Sequence, residues 1–118
     1  MMRRFMSKRR TERREHLRER LEQARADFDK IVRHIIHEYE PIRVYQWGSL
    51  VSGETFQDIS DIDIAVEGIE DSAFLRMVDD CERLSRFPLH IVRLEDIRAV
   101  HRENIIREGV LVHGRPLS

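Results

Sequence analysis

Two short stretches decide the fold: Trp47-Gly48-Ser49, at the end of an apolar run, and Asp61-Ile62-Asp63-Ile64-Ala65-Val66, which follows after eleven intervening residues. Residues 42–46 before the first stretch are mainly β-branched and aromatic, so we expect a strand that ends at Gly48. Aspartate and isoleucine alternate in the second stretch, which is the period of a strand. Because alternate side chains of a strand share a face, Asp61 and Asp63 are predicted to point the same way.

The remaining pattern predicts helices around these strands. Apolar residues recur at spacings of three and four from Leu17 to Ile35, which indicates an amphipathic helix over about Thr11 to Tyr39, ended by Pro41. Further along, we predict a helix over 71–84, a strand over 88–94, a helix ending at 108 and a short strand over 110–112. The order α-β-β-α-β-α-(β) is that of a small α/β (α+β) domain with helices packed against a sheet.

Length and composition place the chain in a broad class. At 118 residues and 14.2 kDa it suits one domain. We expect a basic, flexible N-terminus over residues 1–10 and a single domain over 11–118. The one cysteine, Cys81, excludes a disulfide framework and is expected to be a buried thiol of the middle helix. The sequence shows neither an apolar run long enough for a membrane span nor a signal peptide, so a reducing, cytoplasmic location is expected.

Charge is distributed unevenly along the chain. Residues 1–33 hold 12 Arg and Lys against 6 Asp and Glu, although the formal net charge of the whole chain is only −1. A basic end can attract nucleic acid or an acidic partner, whereas paired Arg and Glu on a helix can also be a solvated face. The basic residues over 3–20 have no aromatic platform interleaved among them, so a nucleic-acid partner is not expected.

The carboxylate pair and the Gly-Ser dipeptide together suggest phosphoryl chemistry. Two carboxylates on one strand face repel each other unless a cation lies between them, and Mg²⁺ prefers such oxygen ligands together with phosphate oxygens. A glycine such as Gly48 lets a phosphate approach the backbone, where N–H groups and the Ser49 hydroxyl can bind it. Either motif alone is common by chance, so the prediction depends on their combination.

With these residues in place, the sequence resembles the minimal nucleotidyltransferases of the DNA polymerase beta superfamily. Their pattern is an apolar strand, Gly-Ser, about ten residues, and Asp-x-Asp between apolar residues. The likeness covers roughly residues 28–114. It implies a nucleotidyltransferase fold with a small mixed sheet, and transfer of a nucleoside monophosphate from a nucleoside triphosphate to an acceptor. By the same resemblance, Gly48 and Ser49 would hold the triphosphate, and Asp61 and Asp63 would bind Mg²⁺ or Mn²⁺.

One position departs from the family pattern. The family has a third carboxylate on the strand after the middle helix, where this chain has His90. Three interpretations are open: His90 is a general base or metal ligand, its presence leaves a slow or inactive enzyme, or it is a packed strand residue whose role passes to Glu95 or Asp96.

The resemblance also suggests partners. Family members of this size often pair with a helical HEPN-type protein and can act on it as an antitoxin, so either such a partner or a homodimer through the N-terminal helix is expected. The alternative to an enzyme is a binding module that keeps the fold, lacks effective catalysis because of His90, and acts by associating with its partner.

Overall fold

The computed structural model describes residues 2–53 and 61–117, with residues 2–7 described by their backbone alone. Its helices are α1 (Met2–Tyr39), α2 (Asp71–Leu84) and α3 (Ala99–Glu108), and its strands are β1 (Arg43–Trp47), β2 (Ile62–Glu67), β3 (Leu89–Arg93) and β4 (Val110–His113). Short 3-10 turns follow β1 at Gly48–Leu50 and β3 at Leu94–Asp96. The predicted fold class and element order are confirmed. Residues 54–60, which lie between the two motifs, are outside the described residues.

The four strands form one mixed sheet in the order β3-β2-β1-β4. β1 is antiparallel to both β2 and β4, and β2 is parallel to β3 because α2 carries the chain back across the sheet between them. The register aligns Trp47 with Asp63 and Asp63 with His90. Three side chains from three strands therefore form one row across the sheet.

The two faces of the sheet are used differently. Ile62, Ile64 and Val66 of β2 face the main apolar core, which they share with α1 and α2. The opposite face carries Asp63 and Ala65, and α3 covers only part of it with a second, smaller apolar cluster around Tyr45 and Ile105. Asp63 thus lies on a sheet face that is partly left to solvent.

Helix α1 is longer than its apolar pattern indicated. It begins at Met2 rather than near Thr11, since residues 2–10 contain no proline or glycine and are rich in helix-forming Arg, Lys and Met. At about 57 Å for 38 residues, it accounts for the 59 Å long axis of the molecule. Full burial along α1 begins only at Ala24, so the N-terminal half extends beyond the sheet. The division into residues 1–10 and 11–118 stays a prediction.

A buried ion pair joins α1 to the segment after α2. The side chain of Asp27 is 1% exposed and accepts hydrogen bonds from the backbone N–H of Arg86 at 2.8 Å and from its guanidinium Nη2 at 2.8 Å. Burial raises the pKa of Asp27, but the hydrogen bonds and charge of Arg86 outweigh burial and hold the pKa below its ordinary value.

Among the described helices, none combines the length and apolar character that crossing a membrane requires.

Candidate functional site

The site is built around the bend after β1. Gly48 has a φ of +76°, the left-handed region that favours glycine, and it opens the 3-10 turn Gly48–Leu50. The turn is closed by the N–H of Val51, which donates to the Gly48 carbonyl at 3.2 Å, and by that of Gly53, which donates to the Ser49 carbonyl at 3.0 Å. Gly48 is exposed and Ser49 is half-buried. The bend therefore presents an accessible backbone at the end of a central strand.

Gly48 lies directly against the carboxylate of Asp63. An ideal β-carbon at position 48 would lie 2.8 Å from Cγ of Asp63 and still closer to Oδ2. A side chain at position 48 would therefore have to displace the Asp63 carboxylate, whereas glycine fits beside it. The structure thus brings together the two motifs that the sequence separates by eleven residues.

Asp61 and Asp63 lie at the N-terminal end of β2. Asp61 is exposed just before β2, and Asp63 is the second residue of the strand, with its side chain 15% exposed. Burial raises the pKa of Asp63, the hydrogen bond and charge of His90 lower it, and the negative charge of Asp61 raises it, so that the net pKa lies above its ordinary value. The ionised form of Asp63 is therefore disfavoured by its surroundings and would be stabilised by a nearby cation.

His90 contacts Asp63 from the neighbouring parallel strand. Its Nδ1 lies 3.2 Å from Oδ1 of Asp63, and its side chain is half exposed. The family's third carboxylate is thus replaced by a group that binds one of the two remaining carboxylates. Glu95 and Asp96 do not take its place, because Glu95 accepts the N–H of Gly68 at the far end of β2 and Asp96 pairs with Arg93.

Trp47 links this row to α3 through ring contacts. Its ring lies edge-on to His90 at a centroid distance of 5.3 Å and edge-on to His101 at 5.6 Å. The indole N–H of Trp47 is buried and has no hydrogen-bond partner among the described residues. Tyr45, the other aromatic residue of this strand, is 3% exposed and belongs to the smaller apolar cluster.

An open cavity of about 420 Å³ lies beside the bend. Its wall consists of the end of β1, the turn that follows and one side of α3. The α3 side chains that line it are His101, Asn104, Ile105 and Glu108. Sequence reasoning missed this wall because α3 carries no motif; the helical spacing of the four positions was the only available signal.

Two histidines of α1, three residues apart in the sequence, and the single cysteine have their contacts outside this site. Nε2 of His34 lies 3.1 Å from Asp80 on α2, whereas Nδ1 of His37 lies 3.2 Å from its neighbour Glu38, so the two histidines do not form a pair. Cys81 is fully buried, and burial raises the pKa of its thiol to about 12, so it is a core residue rather than a nucleophile.

The residues present fit a hard divalent cation only in part. The donor set is the carboxylates of Asp61 and Asp63, and burial together with the charge of Asp61 disfavours the ionised form of Asp63. Within residues 2–53 and 61–117, no group of three or more His, Cys, Asp and Glu side chains is arranged to hold a metal ion. A cation bound by Asp61 and Asp63 would therefore need further ligands, which phosphate oxygens and water supply at magnesium sites.

The fold and this site define the class of the protein. The family described as polymerase beta, nucleotidyltransferase matches residues 29–116. The match covers most of the chain, so the chain belongs to this nucleotidyltransferase family. No curated protein matches the sequence significantly.

Solved structures agree with the family assignment. A protein described as a minimal nucleotidyltransferase is 26% identical, with a TM-score of 0.62 over 76% of this chain and 93% of the other. A mutant of the toxin-antitoxin MntA-HpeT with two aspartates changed to glutamate is 18% identical, with a TM-score of 0.62 over 74% of this chain and 72% of the other. A toxin-antitoxin structure with AMP-PNP is 21% identical, with a TM-score of 0.62 over 73% of each chain. At such identities, the last two show a shared fold alone.

Proposed function

We infer that the chain is a metal-dependent nucleotidyltransferase that transfers a nucleoside monophosphate from a nucleoside triphosphate to an acceptor. The observation that carries this proposal is the contact of Gly48 with Asp63. It places a backbone bend that a phosphate can approach against a carboxylate whose ionised form is destabilised by its surroundings. Family membership supports the reaction class. The identity of the cation as Mg²⁺ or Mn²⁺ is part of the proposal.

Each residue of the site has a proposed role. Gly48 admits the triphosphate to the backbone, and the hydroxyl of Ser49 donates to a phosphate oxygen. Asp61 and Asp63 would hold the cation, which when bound stabilises the charge of the transferred phosphoryl group and its leaving group. An acceptor oxygen forms a bond to the α-phosphorus, the bond from that phosphorus to the bridging oxygen breaks, pyrophosphate leaves, and the acceptor loses its proton.

We propose that the acceptor is a partner protein. The chain offers one small domain, and α1 extends a basic N-terminal half beyond the sheet. The structural neighbours described as toxin-antitoxin complexes suggest that this half contacts a protein partner, for which a HEPN-type helical protein is the proposal and a homodimer through α1 the alternative. A cytoplasmic location is proposed with it.

A labelling experiment tests the reaction. The protein is incubated with Mg²⁺ or Mn²⁺, nucleoside triphosphate labelled on the α-phosphate, and the protein encoded beside it. We expect label on the partner, lost in Asp61→Ala and Asp63→Ala and retained in Asp79→Ala, which removes an exposed carboxylate of α2. Transfer that survives both site variants would contradict the proposed roles.

A second candidate function follows from the contact between His90 and Asp63. The imidazole of His90 contacts Oδ1 of Asp63, and no third carboxylate stands in its place among the described residues. This arrangement favours a module that binds nucleotide and a partner without effective turnover. Nucleotide binding without label transfer, together with partner binding, would support this function.

A further inference from the structure

The cavity beside the bend has a size and position suited to part of a bound nucleotide. Its volume of about 420 Å³ lies in the usual range of small-molecule sites. Gly48 both lines the cavity and contacts the carboxylate of Asp63, so the cavity lies next to the proposed phosphate and cation site. A triphosphate held at Gly48 and Ser49 would therefore have its nucleoside within reach of this cavity, and the inference rests on the proposed function in that respect.

The side of the cavity formed by α3 is a single stripe of the helix. His101, Asn104 and Glu108 are spaced by three and four residues and so lie on one helix face, with buried Ile105 between them. Across from this stripe, the end of β1 contributes the Trp47 indole. The cavity thus combines aromatic and apolar walls with a few polar groups, among them Asn104 and Glu108, a combination typical of sites for flat heterocycles.

The polar groups of the stripe have defined hydrogen-bonding character. Nη2 of Arg107 donates to Oδ1 of Asn104 at 2.7 Å, which engages the amide oxygen and leaves the amide nitrogen to act as a donor. The carboxylate of Glu108 can only accept hydrogen bonds when ionised, and its Oε1 lies 3.6 Å from the same guanidinium. The stripe therefore presents a donor and an acceptor one helical turn apart.

We propose that this cavity is the base-recognition subsite of the protein, in which Asn104 and Glu108 select a nucleobase that carries an amino group beside a ring-nitrogen acceptor. Adenine and cytosine have this arrangement, because each presents an exocyclic amine next to an unprotonated ring nitrogen. The ring nitrogen accepts from the Asn104 amide and the amine donates to Glu108. Guanine and uracil present a carbonyl and a ring N–H at the corresponding edge, so each would face a group of its own kind.

The single tryptophan makes this proposal measurable. Trp47 is the only tryptophan of the chain and lines the cavity, so a change in its fluorescence reports occupation there. The probes are α,β-methylene triphosphates of the four bases, which cannot transfer a nucleotide, and inorganic tripolyphosphate, which lacks a base. All are titrated with Mg²⁺ present. For the wild type, we expect the adenine and cytosine analogues to bind about tenfold more tightly than the other two, as one discriminating hydrogen-bonded pair provides.

Variants of α3 separate base recognition from phosphate binding. Asn104→Ala and Glu108→Gln are expected to bring the ratio of the affinities for the two pairs of analogues down to about one. The affinity for tripolyphosphate should stay unchanged. Glu103→Gln, on the exposed side of the same helix and outside the cavity wall, is the matched control and should keep the full preference. Both lining residues are exposed, so circular dichroism should show an intact fold in each variant.

The outcomes distinguish this inference from the proposed function. Equal affinity for all four analogues, or an equal loss of tripolyphosphate binding in the α3 variants, overturns the base subsite. If tripolyphosphate binds and the binding depends on Asp63, the proposed function stands even then. If tripolyphosphate does not bind at all, the proposed function fails, whereas a preference among free nucleosides that is lost in Asn104→Ala would still support the subsite.

Discussion

Gly48 and the Asp63 side chain lie so close that a β-carbon on the glycine would clash with the aspartate, at 2.8 Å from its Cγ. Gly48 directly follows β1 and Asp63 belongs to β2, and the antiparallel register that pairs Trp47 with Asp63 places them side by side. This contact requires glycine for two independent reasons, its positive φ and the space that Asp63 occupies. It therefore offers a direct test of the site.

Replacing Gly48 by alanine should abolish nucleotide binding as well as lower stability. A non-glycine residue in the left-handed region costs about 1–2 kcal/mol, and here the methyl group also displaces the Asp63 carboxylate. Gly53→Ala is the matched control, since Gly53 has a similar φ of +80° but would meet only the ends of the Leu21 and Arg25 side chains. Titration with a non-hydrolysable triphosphate should show binding by the Gly53 variant and none by the Gly48 variant. Equal affinities would mean that the bend does not position Asp63.

Asp63 should destabilise the protein when no cation is present. Because burial and the charge of Asp61 disfavour its ionised form, Asp63→Asn should raise the melting temperature by a few degrees in the presence of a chelator. Adding Mg²⁺ at about a hundred times its dissociation constant should stabilise the wild type by roughly 2.7 kcal/mol and the variant hardly at all. Differential scanning calorimetry measures both effects, with Asp79→Asn as a control that responds to Mg²⁺ like the wild type. A metal response retained by Asp63→Asn would place the cation elsewhere.

His90→Asp should strengthen the site for cations and weaken the fold without them. The substitution places the third carboxylate of the family pattern beside Asp63, in the register position where Nδ1 of His90 now lies 3.2 Å from Oδ1. If the histidine limits turnover, label transfer rises in this variant and the melting temperature in chelator falls. If His90 is the general base or a metal ligand, transfer falls instead. Transfer that is unchanged would identify His90 as a packed residue without a role in the reaction.

The sequence predicted the elements well because their signals are local. The alternation around Asp61 and Asp63 and the apolar stripe from Leu17 to Ile35 each depend on neighbours a few residues apart. The start of α1 at Met2 was missed because residues before Leu17 offer no apolar stripe, although their helix propensity is high. The contact between Gly48 and Asp63 depends on strand register, so the sequence predicted only that the two motifs act in combination. The α3 wall of the cavity has no local sequence motif, because Asn104 and Glu108 reach the cavity only through the packing of α3 on the sheet.

The buried ion pair should respond unequally to removal of its two partners. Arg86→Ala leaves the Asp27 carboxylate, which is 1% exposed, with the backbone N–H as its remaining donor at this position. We expect a fall in melting temperature on the order of 10 °C. Asp27→Asn keeps an amide oxygen as acceptor and leaves a guanidinium that is half exposed to water, so its loss should be smaller. Arg83→Ala, which breaks an exposed pair with Asp79, should change the melting temperature by only ~1–2 °C. The reverse ranking of the two core variants would contradict the assignment of Asp27 as a charged buried residue.

Asp27 should also give the protein part of its resistance to acid. The pKa of Asp27 in the folded state lies below the ordinary value of 3.8. At pH values between the folded and the unfolded pKa, the folded state therefore binds fewer protons than the unfolded state. Its contribution is therefore fully present above about pH 4 and is lost as the pH falls through the lowered folded pKa. The stability difference between the wild type and Asp27→Asn should consequently be largest near neutral pH and shrink between about pH 4 and pH 2. Urea unfolding at a series of pH values measures this difference. A gap that stays constant down to pH 2 would show that the carboxylate is not ionised in the folded protein.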